Sequence, residues 1–301
     1  MYEKEAVMNG EHITWLQDQE MHRWEVQQLI SRAMGMCEAS PNVAVVGAGN
    51  WEDLNWVELA AHAARVVCFD TGHTGSQLAA EGITAPIAQK IEVVSNADVA
   101  GLAGSKLLDK LQQLFDGKVS AADIISGLEK LMPVIEASNK LKELHGKFDL
   151  VISNATHTQL FYIDALLMLA PSIELFAEPE VEAITRQFRS VRERVVEAYN
   201  RELQSLVKPG GVLLIWTEVM KLDDRTKSIL DELYMVRSEH ERVRTMFQTF
   251  GSMGDEAAVT GLKLAFDQMS PATVHFNSWL WPISTIKQYW AAGLVGQLNQ
   301  R

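Results

Sequence analysis

The sequence predicts an α/β fold built on a mostly parallel sheet, and three observations predict it. The apolar runs Val43 to Val46 and Arg65 to Phe69, and the one leading to Asn154, are too continuous for half-exposed strands and read as strands buried on both faces. Helical patterns separate these runs, which is the alternation a parallel sheet requires. The first two strands are joined through Gly47-Ala48-Gly49, where the backbone turns sharply with no Cβ in the way, and the second closes on Asp70.

Residues 11 to 38 precede the first strand and carry an apolar stripe, Trp15, Leu16, Trp24, Leu29, Ile30 and Met34, at helical spacing. This helix is expected to pack on the main domain or to cover a ligand. His12 and His22 stand too far apart for a metal pair on one helix face. After the first strand, Asn50 is a good helix cap, Glu52 and Asp53 suit the first turn, and Trp56, Leu59 and Ala60 supply an apolar face. Strand, glycine turn, helix, strand and terminal acid form the layout of a nucleoside-binding unit, with Asp70 about 20 residues beyond the glycines, within reach of a ribose. A dinucleotide site wants a third glycine where this chain has Glu52, because a pyrophosphate must approach the helix start closely. A phosphate-free nucleoside with a sulfonium cation tolerates acids there.

On these residues the chain resembles the class I, Rossmann-like S-adenosylmethionine (SAM)-dependent methyltransferases. Residues 91 to 101 resemble the family's third strand and the acidic position after it, here Asp98. Residues 148 to 160, FDLVISNATHTQL, resemble the fourth strand and its loop, and residues 207 to 216, VKPGGVLLIW, the turn into strand five. The resemblance spans roughly residues 41 to 217. It implies a doubly wound, mostly parallel seven-stranded sheet with antiparallel closing strands, and SAM as cofactor. In it, Gly47 and Gly49 let the backbone approach the cofactor beside Asn50, Asp70 takes the ribose, Asp98 the adenine, and Asn154 lines the reacting end. Two positions depart from the family pattern: Val45 stands where an acid is common and Trp51 where a third glycine is common.

Between the third and fourth strands lies a helical insertion, about residues 104 to 145. Leu107, Leu108, Leu111, Leu114 and Phe115 form one helical face, and Ile124, Ile125, Leu128, Leu131 and Ile135 another, with Pro133 set to kink or end the second helix. The insertion is expected to cap the pocket or to form a homodimer contact. At the end of strand four, Thr156, His157, Thr158 and Gln159 cluster hydrogen-bonding groups where ligands sit in such sheets. His157 has the chemistry of a general base for an acceptor proton; the alternative is a cap or pocket wall, with Thr156 or Thr158 capping the next helix. Residues 161 to 172 read as a packed helix, and Glu178 to Leu206 as a long helix with an arginine- and glutamate-rich solvated face. Glu218, beyond strand five, is a second catalytic candidate, since a carboxylate suits an amine or cationic acceptor. Further helices are expected over 222 to 269 and closing strands around 273 to 281 and 293 to 298. The Trp279, Trp281, Tyr289 and Trp290 cluster reads as core packing.

Composition narrows the function classes. Lys plus Arg number 27 against 39 Asp plus Glu, a formal net charge of -12 over 301 residues, so the chain is a poor match for a phosphate backbone and no nucleic-acid partner is expected. No apolar run approaches a membrane span, Cys37 and Cys68 are not spaced as metal ligands, no metal site is expected, and the polar start has no signal-peptide segment, so a cytoplasmic location is expected. Residues 1–40 are expected as an N-terminal helical segment and 41–301 as the cofactor-binding domain. The expected activity is methyl transfer from SAM to a small-molecule or peptide acceptor. A non-catalytic binding relative, a transferase moving another group of SAM, and an NAD-dependent oxidoreductase are the alternatives.

Overall fold

Successive residues of the central strands bury their side chains on alternate faces of the sheet, and that alternation organises the described core. The computed structural model describes residues 2–47, 53–70, 85–137, 141–223, 256–284 and 287–299, with isolated positions between 226 and 248. Its strands are β1 (Asn42–Val46), β2 (Arg65–Asp70), β3 (Ile91–Ser95), β4 (Phe148–Asn154), β5 (Val207–Lys221), β6 (His275–Ser284) and β7 (Lys287–Gln297). They form one seven-stranded sheet in the order β3-β2-β1-β4-β5-β7-β6. The first five strands are mutually parallel. β7 pairs antiparallel with both β5 and β6, so the closing pair contributes a single reversed strand. This is the Rossmann-like, doubly wound arrangement that the resemblance implies.

The helices are α1 (Tyr2–Met36), α2 (Trp56–His62), α3 (Ala85–Ala88), α4 (Leu102–Ser105), α5 (Leu107–Asp116), α6 (Ala121–Ala137), α7 (Tyr162–Leu169), α8 (Glu178–Leu206) and α9 (Glu256–Phe266). Val43, Val45, Val66, Cys68, Ile152, Leu214 and Trp216 face the layer made by α1 and α2. Ala44, Val46, Val67, Phe69, Val151, Leu213 and Ile215 face α5, α6, α8 and α9. Burial on both sides explains why these strands read as unbroken apolar runs. Val45, where an acid is common in the family, is wholly buried among the α1-side residues.

Several element boundaries differ from the sequence reading. α1 starts at Tyr2 rather than near residue 11, and Trp24, placed in its apolar stripe, is 54% exposed, while Val26, Leu29, Ile30, Ala33 and His22 are buried. The buried line runs through His22 because α1 docks tightly on the sheet: a Cβ at Gly293 of β7 would sit 2.2 Å from Leu29. α2 is capped by Asn55, whose Oδ1 accepts from the Glu58 amide at 3.1 Å, and begins at Trp56, six residues after the expected cap. Asp53 therefore precedes the helix in a short turn and is buried. α6 runs through Pro133 to Ala137. Among the described residues, no helix is long and apolar enough to cross a membrane.

Candidate functional site

The strand order reverses between β1 and β4: the chain winds outward through β2 and β3 on one side and through β4 and β5 on the other. Such a switch point opens a crevice beyond the carboxyl ends of the strands, where ligands bind. Here it lies between Gly47, which follows β1, and the segment 155–160, which follows β4.

Gly47 has φ +81°, and a Cβ there would meet Thr156 Oγ1 at 2.1 Å and the Asn154 carbonyl oxygen at 2.8 Å. Only glycine permits this approach of the two strand ends. The amide of Gly47 donates to the Phe69 carbonyl at 3.1 Å, and Asn154 Nδ2 donates to the Gly47 carbonyl at 2.8 Å. Asn154 Oδ1 is buried without a hydrogen-bond partner. Ala155 stands in the left-handed region at φ +47° and Phe161 at φ +64°, both unfavourable for side chains with a Cβ, so the β4 loop carries backbone strain at the crevice.

A cavity of about 540 Å³ occupies the crevice, in the range of small-molecule sites. Val46, Phe69, Val99, Leu102 and Leu160 make apolar walls, and Asp98, Thr156 and Gln159 supply polar groups. The insertion contributes Lys106, Leu108 and Asp109, so its first part caps this pocket. Tyr199 of α8 also reaches the wall; its hydroxyl lies 2.9 Å from Ser153 Oγ, and burial pushes its pKa up to about 12, so it stays a neutral hydrogen-bonding group. Apolar walls with polar ends can hold a flat heterocycle with attached hydroxyls, exclude water, and fix a reacting group.

The sequence-predicted site residues fall at three kinds of position. Gly47 and Asp98 line the cavity, and Asp98 Oδ2 also accepts from the Gly104 amide at 2.7 Å, which ties it to α4. Asn154 stands behind Gly47 and holds that glycine's carbonyl rather than the cavity wall. Asp70 ends β2 opposite Ser95 of β3, beside the crevice, though its side chain lies outside the described residues, as do Gly49 and Asn50.

His157 does not occupy the reacting end. Its ring is wholly buried, away from the cavity lining, with Nε2 2.8 Å from Asn200 Oδ1 and its face set edge-on to Tyr199. Asn200 Nδ2 donates to the Gly261 carbonyl at 2.7 Å, which makes Oδ1 the acceptor and places the imidazole proton on Nε2. Nδ1 is left buried and without a partner. Burial lowers the ring's pKa to about 4, only partly offset by the Asn200 bond. A ring sealed from solvent between α8 and α9 cannot reach an acceptor, and the sequence reading of a base is corrected to an anchor for the turn 156–159. Glu218 lies within β5 and is 7% exposed; Oε1 accepts from Thr158 Oγ1 at 2.5 Å and Gln159 Nε2 at 3.4 Å, and Oε2 from Thr217 Oγ1 at 3.2 Å. It is joined to the cavity through Gln159 and does not itself line it.

Tyr199 went unrecognised as a site residue, and of the two roles expected for the insertion its first part takes the pocket-capping one. Tyr199 belonged to the apolar period of α8, and nothing in that period marks the one turn that faces a strand end.

No protein-family model matches the chain, and no curated protein matches it. Solved structures do. The YcgJ protein of Bacillus subtilis is 11% identical, with 93% of this chain and 100% of that one covered at a TM-score of 0.40. A SAM-dependent methyltransferase from Aquifex aeolicus is 11% identical, covering 91% and 89% at a TM-score of 0.36. An O-methyltransferase family protein from Burkholderia thailandensis is 15% identical, covering 97% and 60% at a TM-score of 0.35. Likeness at this level leaves function to be argued from the site.

Proposed function

We propose that the chain binds SAM in the crevice between β1 and β4 and transfers its methyl group to a small-molecule or peptide acceptor. The observation that carries this reading is the cavity beside Gly47: it lies at the topological switch point, and its apolar walls lead to Asp98 at one end and the β4 loop at the other. Residues Phe69, Val99 and Leu102 suit the adenine, Asp98 and Asp70 the polar edge and the ribose. SAM supplies an activated methyl group on a sulfonium. Displacement there needs the acceptor held in line and water kept out, which is what a capped crevice provides. With His157 sealed in the core, the acceptor's proton is not lost to that ring. Glu218, fixed by Thr158 and Gln159, is the carboxylate nearest in the chain of contacts to the β4 loop and suits an amine acceptor. The net charge of -12 is a poor match for a phosphate backbone, so the proposed partners exclude nucleic acid, and the protein is proposed to act in the cytoplasm.

Calorimetric titration with SAM, S-adenosylhomocysteine and NAD, repeated on Asp70→Ala, tests the reading. Binding of the two sulfur nucleosides but not NAD, lost in the variant, is the expected result. A folded protein that binds none of them sinks the cofactor assignment and leaves a non-catalytic interaction module, for which the buried Val45 is the favouring observation.

A further inference from the structure

A second cavity adjoins the first. It too has a volume of about 540 Å³, and the two meet at Leu108 of α5 and Asp164 of α7, which line both. The second is a groove between those helices. Each helix gives it one face, with lining residues recurring at three and four from Leu108 to Asp116 and from Asp164 to Ser172. At the helical rise, the α5 face runs about 12 Å from the junction to Asp116.

Phe115, Leu167, Met168 and Pro171 make the groove apolar, and Asp116 and Asp164 are its charged groups; among the described residues no Lys or Arg lines it. Leu167 is 66% exposed and Ile163, one turn before it, 52%, so this face of α7 is open to a ligand. Asp116 already accepts from Gln112 Nε2 at 2.8 Å. Asp164 stands at the junction, and the way α7 begins holds it there. The Tyr162 amide donates to the Leu160 carbonyl at 2.7 Å across Phe161, whose φ of +64° and ψ of −53° make a γ-turn of the rare, strained kind. The turn persists because the Phe161 ring is wholly buried and packs edge-on against Phe188 of α8, 6.0 Å between centroids. Asp164, in the first turn of α7, is thereby set beside Leu160 at the β4-loop end of the first cavity.

We propose that the groove takes the methyl acceptor and that the acceptor is a small amphiphilic amine, its ammonium paired with Asp164 at the junction and its apolar body lying between Phe115 and Met168. That this ligand is the acceptor rests on the function proposed above; that the groove binds such an amine does not. The sign of the lining charge selects a cation, the two helix faces require an apolar body, and the first cavity is left to the nucleoside. Glu218, joined to that cavity through Gln159, adds to the negative field the ammonium meets. In the transfer the ammonium first gives a proton to water in the open groove. The nitrogen lone pair then forms the N–C bond to the methyl group as the S–C bond breaks, and the bonding pair stays on sulfur as a neutral thioether.

The test titrates the protein calorimetrically with octylamine, octanoate and methylammonium, with and without saturating S-adenosylhomocysteine. Octylamine should bind, and the other two, which lack the right charge or the apolar body, should bind about tenfold more weakly. Asp164→Asn should cost about fivefold in octylamine affinity, the upper worth of an exposed ion pair, and Leu167→Gln, also at an exposed position, about as much. Glu193→Gln, an exposed acid of α8 outside the groove, should change nothing. Bound S-adenosylhomocysteine should leave octylamine affinity unchanged or raise it. The proposal is overturned if octylamine does not bind, if octanoate binds as well, if Asp164→Asn behaves like Glu193→Gln, if Asp116→Asn loses more than Asp164→Asn, or if the nucleoside displaces the amine. Octylamine binding that depends on Asp164 in a protein that binds no nucleoside defeats the cofactor reading alone and leaves the groove an amine site.

Discussion

His157 and His22 lie on opposite faces of one sheet, both with rings wholly buried, and the surroundings make them different devices. His157 is held by a neutral amide, Asn200, inside the packed layer of α8 and α9, and has one nitrogen without a partner. His22 accepts from the Trp279 indole, and its other nitrogen, also without a hydrogen bond, lies 3.4 Å from the buried Asp53 carboxylate. Burial lowers the pKa of both rings, but only His22 faces a carboxylate that opposes the shift. A buried histidine is thus defined by what its second nitrogen meets rather than by its burial.

The largest effect expected from this contrast is acid sensitivity. His157 ionises at about 4 in the fold against 6.5 in the unfolded chain, so the unfolded state takes up its proton first. Its contribution is fully present above pH 6.5 and is lost progressively as the pH falls from 6.5 to 4, by about 3 kcal/mol in total. Urea melts across that range should show a steeper slope in wild type than in His157→Asn, which keeps only the contribution of His22. Equal slopes would mean His22, whose pKa is lowered in the same sense, carries the acid sensitivity, and the contrast would reverse.

Next in size is Gly261→Ala. Its Cβ would lie 2.1 Å from His157 Cδ2 and 2.5 Å from Nε2, in a layer with no room to yield. A loss of about 2 kcal/mol is expected in denaturant melts, with no change in α1-side tryptophan emission. Tolerance of the alanine would show that His157 is loosely held.

Smallest is Thr158→Val, which removes the 2.5 Å bond to Glu218 while keeping side-chain shape. About 1 kcal/mol of stability should go, read by thermal melting. A methyl acceptor bearing an amine should then bind less well, whereas S-adenosylhomocysteine should bind as before; loss of nucleoside affinity instead would move Glu218 from the acceptor to the cofactor side.

Much of the fold was legible because it follows from periods a few residues long. The unbroken apolar runs at 43–46 and 150–152 had to be two-faced strands, and the 178–206 period gave α8 with the same ends as the structure. The start of α2 was misplaced because Asn50 and Asn55 are equally good caps by residue type; the structure uses Asn55 and buries Asp53 ahead of the helix. At the candidate site, Gly47 was marked by turn chemistry and Asp98 by the resemblance, and both line the cavity. His157 was misread because a polar loop residue and a core anchor look alike until α9, a hundred residues on, closes over it.

The sequence by itself determined the strands, their two-sided burial, the glycine turn after β1, and the acidic balance. Those features are set by side-chain size, φ preference and charge, which act locally. Tertiary structure alone decided that both histidines are sealed, which nitrogen of each is engaged, that the insertion's first helices cap the cavity, and that α1 brings His22 to 3.4 Å from Asp53. Each of these depends on contacts between residues tens to hundreds of positions apart, and hydrogen-bonding direction and desolvation have no value until both partners are in place.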